Sequence, residues 1–181
     1  MKAKTQKAID FLDKLHKYII KDKLLRTNVQ NKNEKQIQTE LRGIIYRRMV
    51  EYFQEQNHTK PKLSADRHFY WEGQQGNYAK DKIETFSARN YPDFIITKPY
   101  MIAIEYKKGS SGSLIKHGIG QSLIHTLGGE FDFVYFLFQD ESKDKQILKS
   151  LNNKKEKLLI ERFWNDFNVR LEIIYNHLSF P

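Results

Sequence analysis

The chain has 181 residues and no cysteine, and its 31 lysines and arginines against 22 acidic residues give a formal net charge of +9. This length suits one domain with a full hydrophobic core, and the lack of cysteine excludes disulfides, a thiol nucleophile and cysteine-ligated metal sites. No apolar run approaches the ~18–20 residues that span a bilayer, and the N-terminus lacks the apolar segment of a secretory signal. We therefore expect a cytoplasmic protein without a membrane partner.

The positive charge is concentrated in the first third of the chain. Residues 1–60 contain 14 lysines and arginines against 7 acidic residues, whereas residues 61–181 contain 17 against 15. A basic surface suits a polyanion, and nucleic acid is the commonest such partner because neutralising its phosphates releases counterions. The alternative is a lysine-rich surface that only keeps the protein in solution.

The hydrophobic pattern of the first half predicts helices followed by short strands. Apolar residues at helical spacing predict two helices, over residues 4–22 and 34–55, and Asn31 or Asn33 is placed to cap the second. A loop is expected over residues 58–65. Short strands are expected within an irregular region, at 67–71 and 82–88.

The second half alternates strands and helices. Residues 91–97 and 100–107 predict two strands that reverse direction at Lys98-Pro99. A polar loop (108–113) is followed by a predicted helix (114–127), a strongly apolar strand (131–138), a helix (143–167) and a last strand (169–175). The predicted order is α-α-β-β-β-α-β-α-β, which indicates a single α/β domain with a mixed sheet flanked by helices.

Three charged residues interrupt the two apolar central strands: Asp93, Glu105 and Lys107. Burying a carboxylate is costly unless it is paired or binds a metal. If the strands form a hairpin centred near Pro99, Asp93 lies opposite Glu105, and Lys107 shares the face of Glu105 because side chains alternate along a strand. A register slip of one residue would separate the three side chains.

Such a cluster suits phosphodiester hydrolysis. Two close carboxylates repel each other unless a proton or cation lies between them. Mg²⁺ prefers oxygen ligands and often takes only one or two carboxylates, with Mn²⁺ as a substitute. A bound divalent cation polarises a phosphoryl oxygen and lowers the pKa of a water, and a nearby lysine stabilises developing negative charge.

The segment Pro92-Asp93, followed by Glu105-Tyr106-Lys107, resembles the PD-(D/E)XK nuclease superfamily, which has the restriction endonuclease-like fold. The resemblance implies an α-β-β-β-α-β core over residues 34–138, with a helical extension (1–33) before it and a helix and strand (139–181) after it. It also implies a Mg²⁺-dependent nuclease, most simply a DNA endonuclease. Asp93, Glu105 and the backbone carbonyl of Tyr106 would hold the metal, and Lys107 would be the catalytic lysine.

Two further positions follow from the resemblance. Family members often carry a glutamate on the helix before the first strand, which corresponds here to Glu34 or, as an alternative, to Glu40. A carboxylate favoured by the helix dipole is the other explanation for Glu34. Many members also carry a glutamine and, four residues later, a tyrosine on the helix after the lysine strand. This chain has Gln121 but His125, so only Gln121 is carried over, to orient the lysine or contact phosphate.

The remaining predictions concern the substrate. Candidate phosphate contacts are Lys108, Ser110, Ser111, Lys116 and Arg47. Arg42, Arg47 and Arg48 are interpreted as lying off the apolar stripe of the second helix, and Tyr70, Trp71 and Tyr78 either stack on bases or pack. DNA is preferred to RNA as the partner, and a homodimer would supply two sites for cutting two strands.

The alternatives are a buried ion pair in an edge hairpin, a non-catalytic nucleic-acid-binding module, and an unrelated basic α/β protein that binds a partner.

Overall fold

The fold is built around a five-stranded mixed sheet with helices on both faces. The structure, a computed structural model, describes residues 5–21, 32–71, 84–85, 88–89 and 91–175. Asn31 and Tyr78 therefore lie outside the described residues. None of the helices in these ranges combines the length and the apolar character needed to cross a membrane.

The helices and strands alternate mainly in the second half of the chain. The α-helices in the described ranges are α1 (Gln6–Lys21), α2 (Glu34–Glu55), α3 (Pro61–His68), α4 (Gly112–Leu127), α5 (Gln146–Ser150) and α6 (Lys154–Phe167). The strands are β1 (Phe69–Trp71), β2 (Glu84–Thr85), β3 (Ala88–Arg89), β4 (Phe94–Ile96), β5 (Ile102–Gly109), β6 (Phe133–Asp140) and β7 (Val169–Tyr175).

The sheet has the order β1-β4-β5-β6-β7. Strand β4 runs antiparallel to both of its neighbours, whereas β5, β6 and β7 are parallel. Parallel neighbours need a crossover connection, which α4 supplies between β5 and β6 and α6 supplies between β6 and β7. The predicted α/β class with a mixed sheet is confirmed. Strands β2 and β3 form a separate two-stranded sheet, so the single strand expected at 82–88 is wrong at the residues described.

The two N-terminal helices cover one face of the sheet. The two predicted helices are confirmed as amphipathic: α1 buries Ala8, Phe11, Leu12, Leu15 and Ile19, and α2 buries Ile37, Leu41, Ile44 and Ile45. Helix α2 also buries Met49 and Phe53, whereas Tyr52, which was expected on its stripe, is only partly buried. Asn33 caps α2 as predicted, because its side chain accepts from the backbone N–H of Gln36 and the Gln36 side chain accepts in return from the N–H of Asn33. The cap fixes where α2 begins, and therefore where Glu34 lies.

Helix α4 packs closely on the opposite face of the sheet. A Cβ atom at Gly118 would lie 2.2 Å from the ring of Phe136, so only glycine allows this approach. Gly118 lies inside α4, at this packing contact. This contact sets the distance between α4 and β6.

Three predicted elements were wrong in type, extent or continuity. Residues 61–65, expected in a loop, and 67–68, expected in a strand, belong to helix α3, since Pro61 is pre-organised for a first helical turn. The expected strand at 67–71 is reduced to residues 69–71. The helix buries only Ala65, so it has no apolar stripe to recognise. The helix predicted over 143–167 is broken, because Asp144 and Lys145 have φ values of 54° and 56° and a new helix begins after Asn153.

The register of the central hairpin matches the prediction, although the strand bounds are shifted. Phe94 lies opposite Ile104 and Ile95 opposite Ala103. Strand β4 is shorter than predicted, whereas β5 continues through Gly109 and leaves only residues 110–111 before α4. Strand β6 is displaced toward Asp140.

Candidate active site

The predicted charged residues lie where β5 continues past the start of β4. From Glu105 onward, β5 has β6 as a ladder partner but no partner in β4, whose register begins at Phe94. Continuing that register by one residue places Asp93 opposite Glu105, as the sequence predicted. The first turns of α2 lie beside this open end of the hairpin. Gln38 contacts Asp93, and Glu34 contacts Lys107.

Both oxygens of Asp93 accept hydrogen bonds. The backbone N–H of Tyr106 donates to Oδ2 at 2.8 Å, and Nε2 of Gln38 donates to Oδ1 at 2.9 Å. These donors fix the plane of the carboxyl group and turn it toward β5. Gln38 was not identified from the sequence, although its position one helical turn after Glu34 could have indicated that it shares the same side of α2.

The electrostatic environment of Asp93 opposes its ionisation. Burial, followed by the charge of Glu105, raises the pKa of Asp93 to about 7, and the N–H of Tyr106 and the charge of Lys107 only partly offset this. An uncompensated negative potential of this kind is relieved by a proton or by a cation. A cation between the two carboxyl groups would offset only the part of this shift that comes from the charge of Glu105.

Lys107 and Glu34 form an ion pair at the edge of the same cluster. Nζ of Lys107 lies 3.2 Å from Oε1 of Glu34. Burial lowers the pKa of Lys107, but the charges of Asp93, Glu34 and Glu105 together outweigh it and raise the pKa above its usual value. In the metal-free protein, Lys107 is therefore held as a cation.

The geometry separates the two candidate glutamates of α2. Glu34 and Gln38 lie on one flank of the helix, whereas Glu40 lies about 240° around the axis from Glu34. Glu40 pairs with Lys32 instead of Lys107. Of the two acids, Glu34 is therefore the one that contacts the cluster.

Glu105 is held by a buried histidine. A 2.7 Å contact joins Oε1 of Glu105 to Nε2 of His125, and each side chain is only 2% exposed. His125 occupies the position at which the resembled family carries tyrosine, and the sequence alone left it as a solvated or hydrogen-bonded residue. Its Nδ1 is buried and has no hydrogen-bond partner within the described residues.

Gln121 lies one turn before His125 on α4. The four residues from Gln121 to His125 rise about 6 Å along the helix axis, which is close to the length of two residues in a strand. Since α4 runs back along β5 and His125 meets Glu105, Gln121 is placed level with Lys107. Its Oε1 is buried and lacks a partner in the described part of the chain. That Gln121 orients the lysine stays a prediction.

We expect the Glu105–His125 pair to make a large contribution to folding. Changing His125 to leucine leaves a buried carboxylate unpaired, which typically costs about 3–5 kcal/mol, whereas glutamine retains a donor and should cost much less. The measurement is thermal unfolding of the two variants. Exposed His117 on the same helix, changed to leucine, is the control. Equal losses in the two His125 variants would show that the contact with Glu105 is not what stabilises the fold.

The backbone of Tyr106 also faces Asp93. The N–H and C=O of one strand residue point toward the same neighbouring strand, so the carbonyl of Tyr106 points to the same side as its N–H. The ladder between β4 and β5 ends at Phe94 and Ile104, so no backbone N–H of β4 pairs with that carbonyl. The Tyr106 side chain is buried elsewhere, where its hydroxyl donates to Oε1 of Gln139 at 2.7 Å.

The oxygen atoms gathered here fit Mg²⁺. The structure shows no group of three or more His, Cys, Asp or Glu side chains suited to a metal ion among the residues it describes. Mg²⁺ does not need such a group, because it commonly binds one or two carboxylates and keeps several waters. Asp93, Glu105 and the carbonyl of Tyr106 would supply hard oxygen ligands of the kind that Mg²⁺ prefers.

The predicted phosphate contacts are dispersed. Lys108 points to the other face of β5, where Nζ donates to Glu141 and to the carbonyl of Lys32 at 2.7 Å each. Ser110, Ser111 and Lys116 are exposed at the start of α4. Their contact with phosphate stays a prediction.

The arginines of α2 differ in environment. Arg47 is exposed on the side of α2 that faces Tyr18, away from the candidate site. Arg48 was interpreted as lying off the apolar stripe, and this is wrong. Its side chain is 3% exposed and pairs with Glu55 at 3.0 Å, because a carboxylate two turns later compensates the buried charge.

Comparison with known proteins gives no relative from which to transfer a function. No protein-family model, curated protein or solved structure matches the chain.

Proposed function

We propose that this chain is a Mg²⁺-dependent nuclease of the PD-(D/E)XK type that hydrolyses phosphodiester bonds in DNA. The observation that carries the proposal is the proximity of Asp93, Glu105 and Lys107 at the open end of β5, where each charge acts on the ionisation of the others. A structural ion pair alone would need one carboxylate beside the lysine. Here Lys107 pairs with Glu34 at 3.2 Å, and the charges of Asp93 and Glu105 act on it as well.

The order of elements around the site supports the proposal. Helix α2 is followed in the main sheet by β1, β4 and β5, which form an antiparallel set, then by α4 and by β6 parallel to β5. Apart from the short helix α3 between α2 and β1, this is the α-β-β-β-α-β order that the family resemblance implies. Assignment of the restriction endonuclease-like fold is part of the proposal.

Different residues of the chain have different roles in the proposed reaction. Asp93, Glu105 and the carbonyl of Tyr106 would hold Mg²⁺, which when bound polarises a phosphoryl oxygen and acidifies a water. Gln38 and the N–H of Tyr106 orient the Asp93 carboxylate, and His125 orients that of Glu105.

We expect Lys107 to stabilise negative charge rather than to accept a proton as a base. Because its pKa is raised, the ammonium group stays protonated at neutral pH and donates hydrogen bonds to the attacking water or to a phosphoryl oxygen. Glu34 holds the ammonium beside the carboxyl pair. Negative charge that develops on the phosphoryl group is stabilised by a donor that is already in position.

DNA cleavage by the purified full chain tests the proposal. Plasmid, linear duplex, single-stranded and branched DNA, together with RNA, would be incubated with Mg²⁺, Mn²⁺ or EDTA. The proposal predicts cleavage of a DNA substrate with either metal and none in EDTA. Salt-sensitive binding to nucleic acid without cleavage of any substrate would contradict it in favour of a non-catalytic binding module.

A further inference from the structure

A small groove opens beside the candidate site, between α2 and the end of β1. Its volume is about 110 Å³, and Asp93 and Gln38 form part of its wall. The groove is therefore continuous with the proposed metal-binding carboxylate. Enclosed pockets for small ligands usually have volumes of about 300–1,000 Å³, so this groove suits part of a longer molecule that passes across it.

The wall formed by α2 carries positive charge. Lys35 and Arg42 line the groove two helical turns apart, a separation of about 10 Å. Neither forms an ion pair with a carboxylate among the residues that the structure describes. Other cations nearby are compensated, such as Lys32 by Glu40 and Arg48 by Glu55. Lys35 and Arg42 are thus available to an external anion.

The opposite wall is aromatic. Trp71 is partly buried against Phe69, and the guanidinium carbon of Arg42 lies 4.9 Å from the centre of the indole ring. Guanidinium planes and aromatic rings are both surfaces on which unpaired bases stack. Trp71 and Arg42 therefore lie against each other in the lining of the groove.

We propose that this groove binds one unpaired nucleotide of the substrate strand, with Lys35 and Arg42 on its phosphates and its base stacked on the Arg42–Trp71 pair. The inference deepens the proposed nuclease function, since the strand would lead from the groove directly to Asp93. It names the substrate class as DNA with a single-stranded segment. A base inside a duplex is stacked on its neighbours and cannot offer its face to a side chain.

DNA binding measured in EDTA, where no cleavage is expected, tests the groove separately from catalysis. The full chain would be titrated in EDTA against a fluorescent oligothymidylate of about twelve nucleotides, a strand of equal length made of abasic sites, and a duplex of equal length. The variants are Arg42→Ala, Lys35→Ala, Trp71→Ala and Trp71→Phe, and the control is Arg162→Ala at an exposed position of α6. Thermal unfolding establishes that each variant is folded.

The proposal predicts tighter binding of oligothymidylate than of the abasic strand or the duplex. Arg42→Ala and Trp71→Ala should each weaken oligothymidylate binding by about tenfold and remove the preference over the abasic strand. Trp71→Phe should keep most of that preference, and Lys35→Ala should weaken both strands alike. Arg162→Ala should change binding by less than about twofold.

Two results would overturn the groove assignment: equal affinity of the wild type for the thymidylate and abasic strands, or equal effects of Arg42→Ala and Arg162→Ala. Either result could occur while DNA is still cleaved, in which case the nuclease proposal stands and the groove fails. The predicted binding pattern without cleavage on any substrate would leave the groove standing and contradict the nuclease.

Discussion

Changing Lys107 to alanine is expected to reduce Mg²⁺-dependent DNA cleavage by about 10²–10³-fold. The raised pKa makes Lys107 a fixed cation beside the carboxyl pair, and loss of one pre-positioned donor to a developing oxyanion typically has an effect of this size. The measurement is the rate of cleavage of the best DNA substrate at saturating Mg²⁺. Affinity for the uncleaved substrate should change little, because one charge among many contributes a small part of the binding.

Two companion variants make this result specific. Lys155→Ala removes the same charge from an exposed position of α6 and should leave the rate unchanged. Glu34→Gln keeps the size of the acid but loses the ion pair with Lys107, and it should lower the rate by less than Lys107→Ala does. Cleavage by Lys107→Ala at the wild-type rate would exclude the lysine from the reaction.

Changing Asp93 to asparagine is expected to abolish cleavage and, without metal, to stabilise the fold at pH 8. The pKa of Asp93 is about 7 in the folded chain, against about 3.9 in an unfolded one. Between these values the folded state holds a proton that the unfolded state has lost. The wild type therefore loses stability as pH rises from about 4 to about 7. The asparagine variant does not, because its amide does not ionise.

Thermal unfolding at several pH values measures this difference. The melting temperature of Asp93→Asn should exceed that of the wild type at pH 8 by about 3 °C or more, which corresponds to about 1 kcal/mol in a chain of this size, and the two should converge near pH 4. Mg²⁺ should raise only the wild-type value, because it binds only the intact carboxyl pair. Asp166→Asn, at an exposed position of α6, is the control. A wild type more stable than Asp93→Asn at pH 8 without metal would contradict the electrostatic account.

Two features of the sequence made the register of the central hairpin predictable. Apolar residues on both strands require burial, and the turn near Pro99 leaves one register in which Phe94 faces Ile104. That register brings Asp93 and Glu105 together without knowledge of the remaining fold. The stripes of α1 and α2 were predictable for the same reason, since a period of 3.6 residues defines one buried face.

Other features depend on contacts that no local pattern reveals. Helix α3 buries one residue, so its start depends on Pro61 and not on periodicity. Arg48 can be buried only because Glu55 approaches it, and Glu105 only because the close approach at Gly118 lets His125 reach it. Long-range pairing of this kind decides which charged residues enter a core, and a single sequence does not display it.

Manganese binding is the most direct test of the central claim that Asp93 and Glu105 form a divalent-cation site. The free Mn²⁺ signal in electron paramagnetic resonance would be followed as the full chain is added, for the wild type, Asp93→Asn and Asp166→Asn. The account predicts saturable Mn²⁺ binding by the wild type and Asp166→Asn, displaced by Mg²⁺ and lost in Asp93→Asn. No saturable binding, or binding that Asp93→Asn retains, would contradict it.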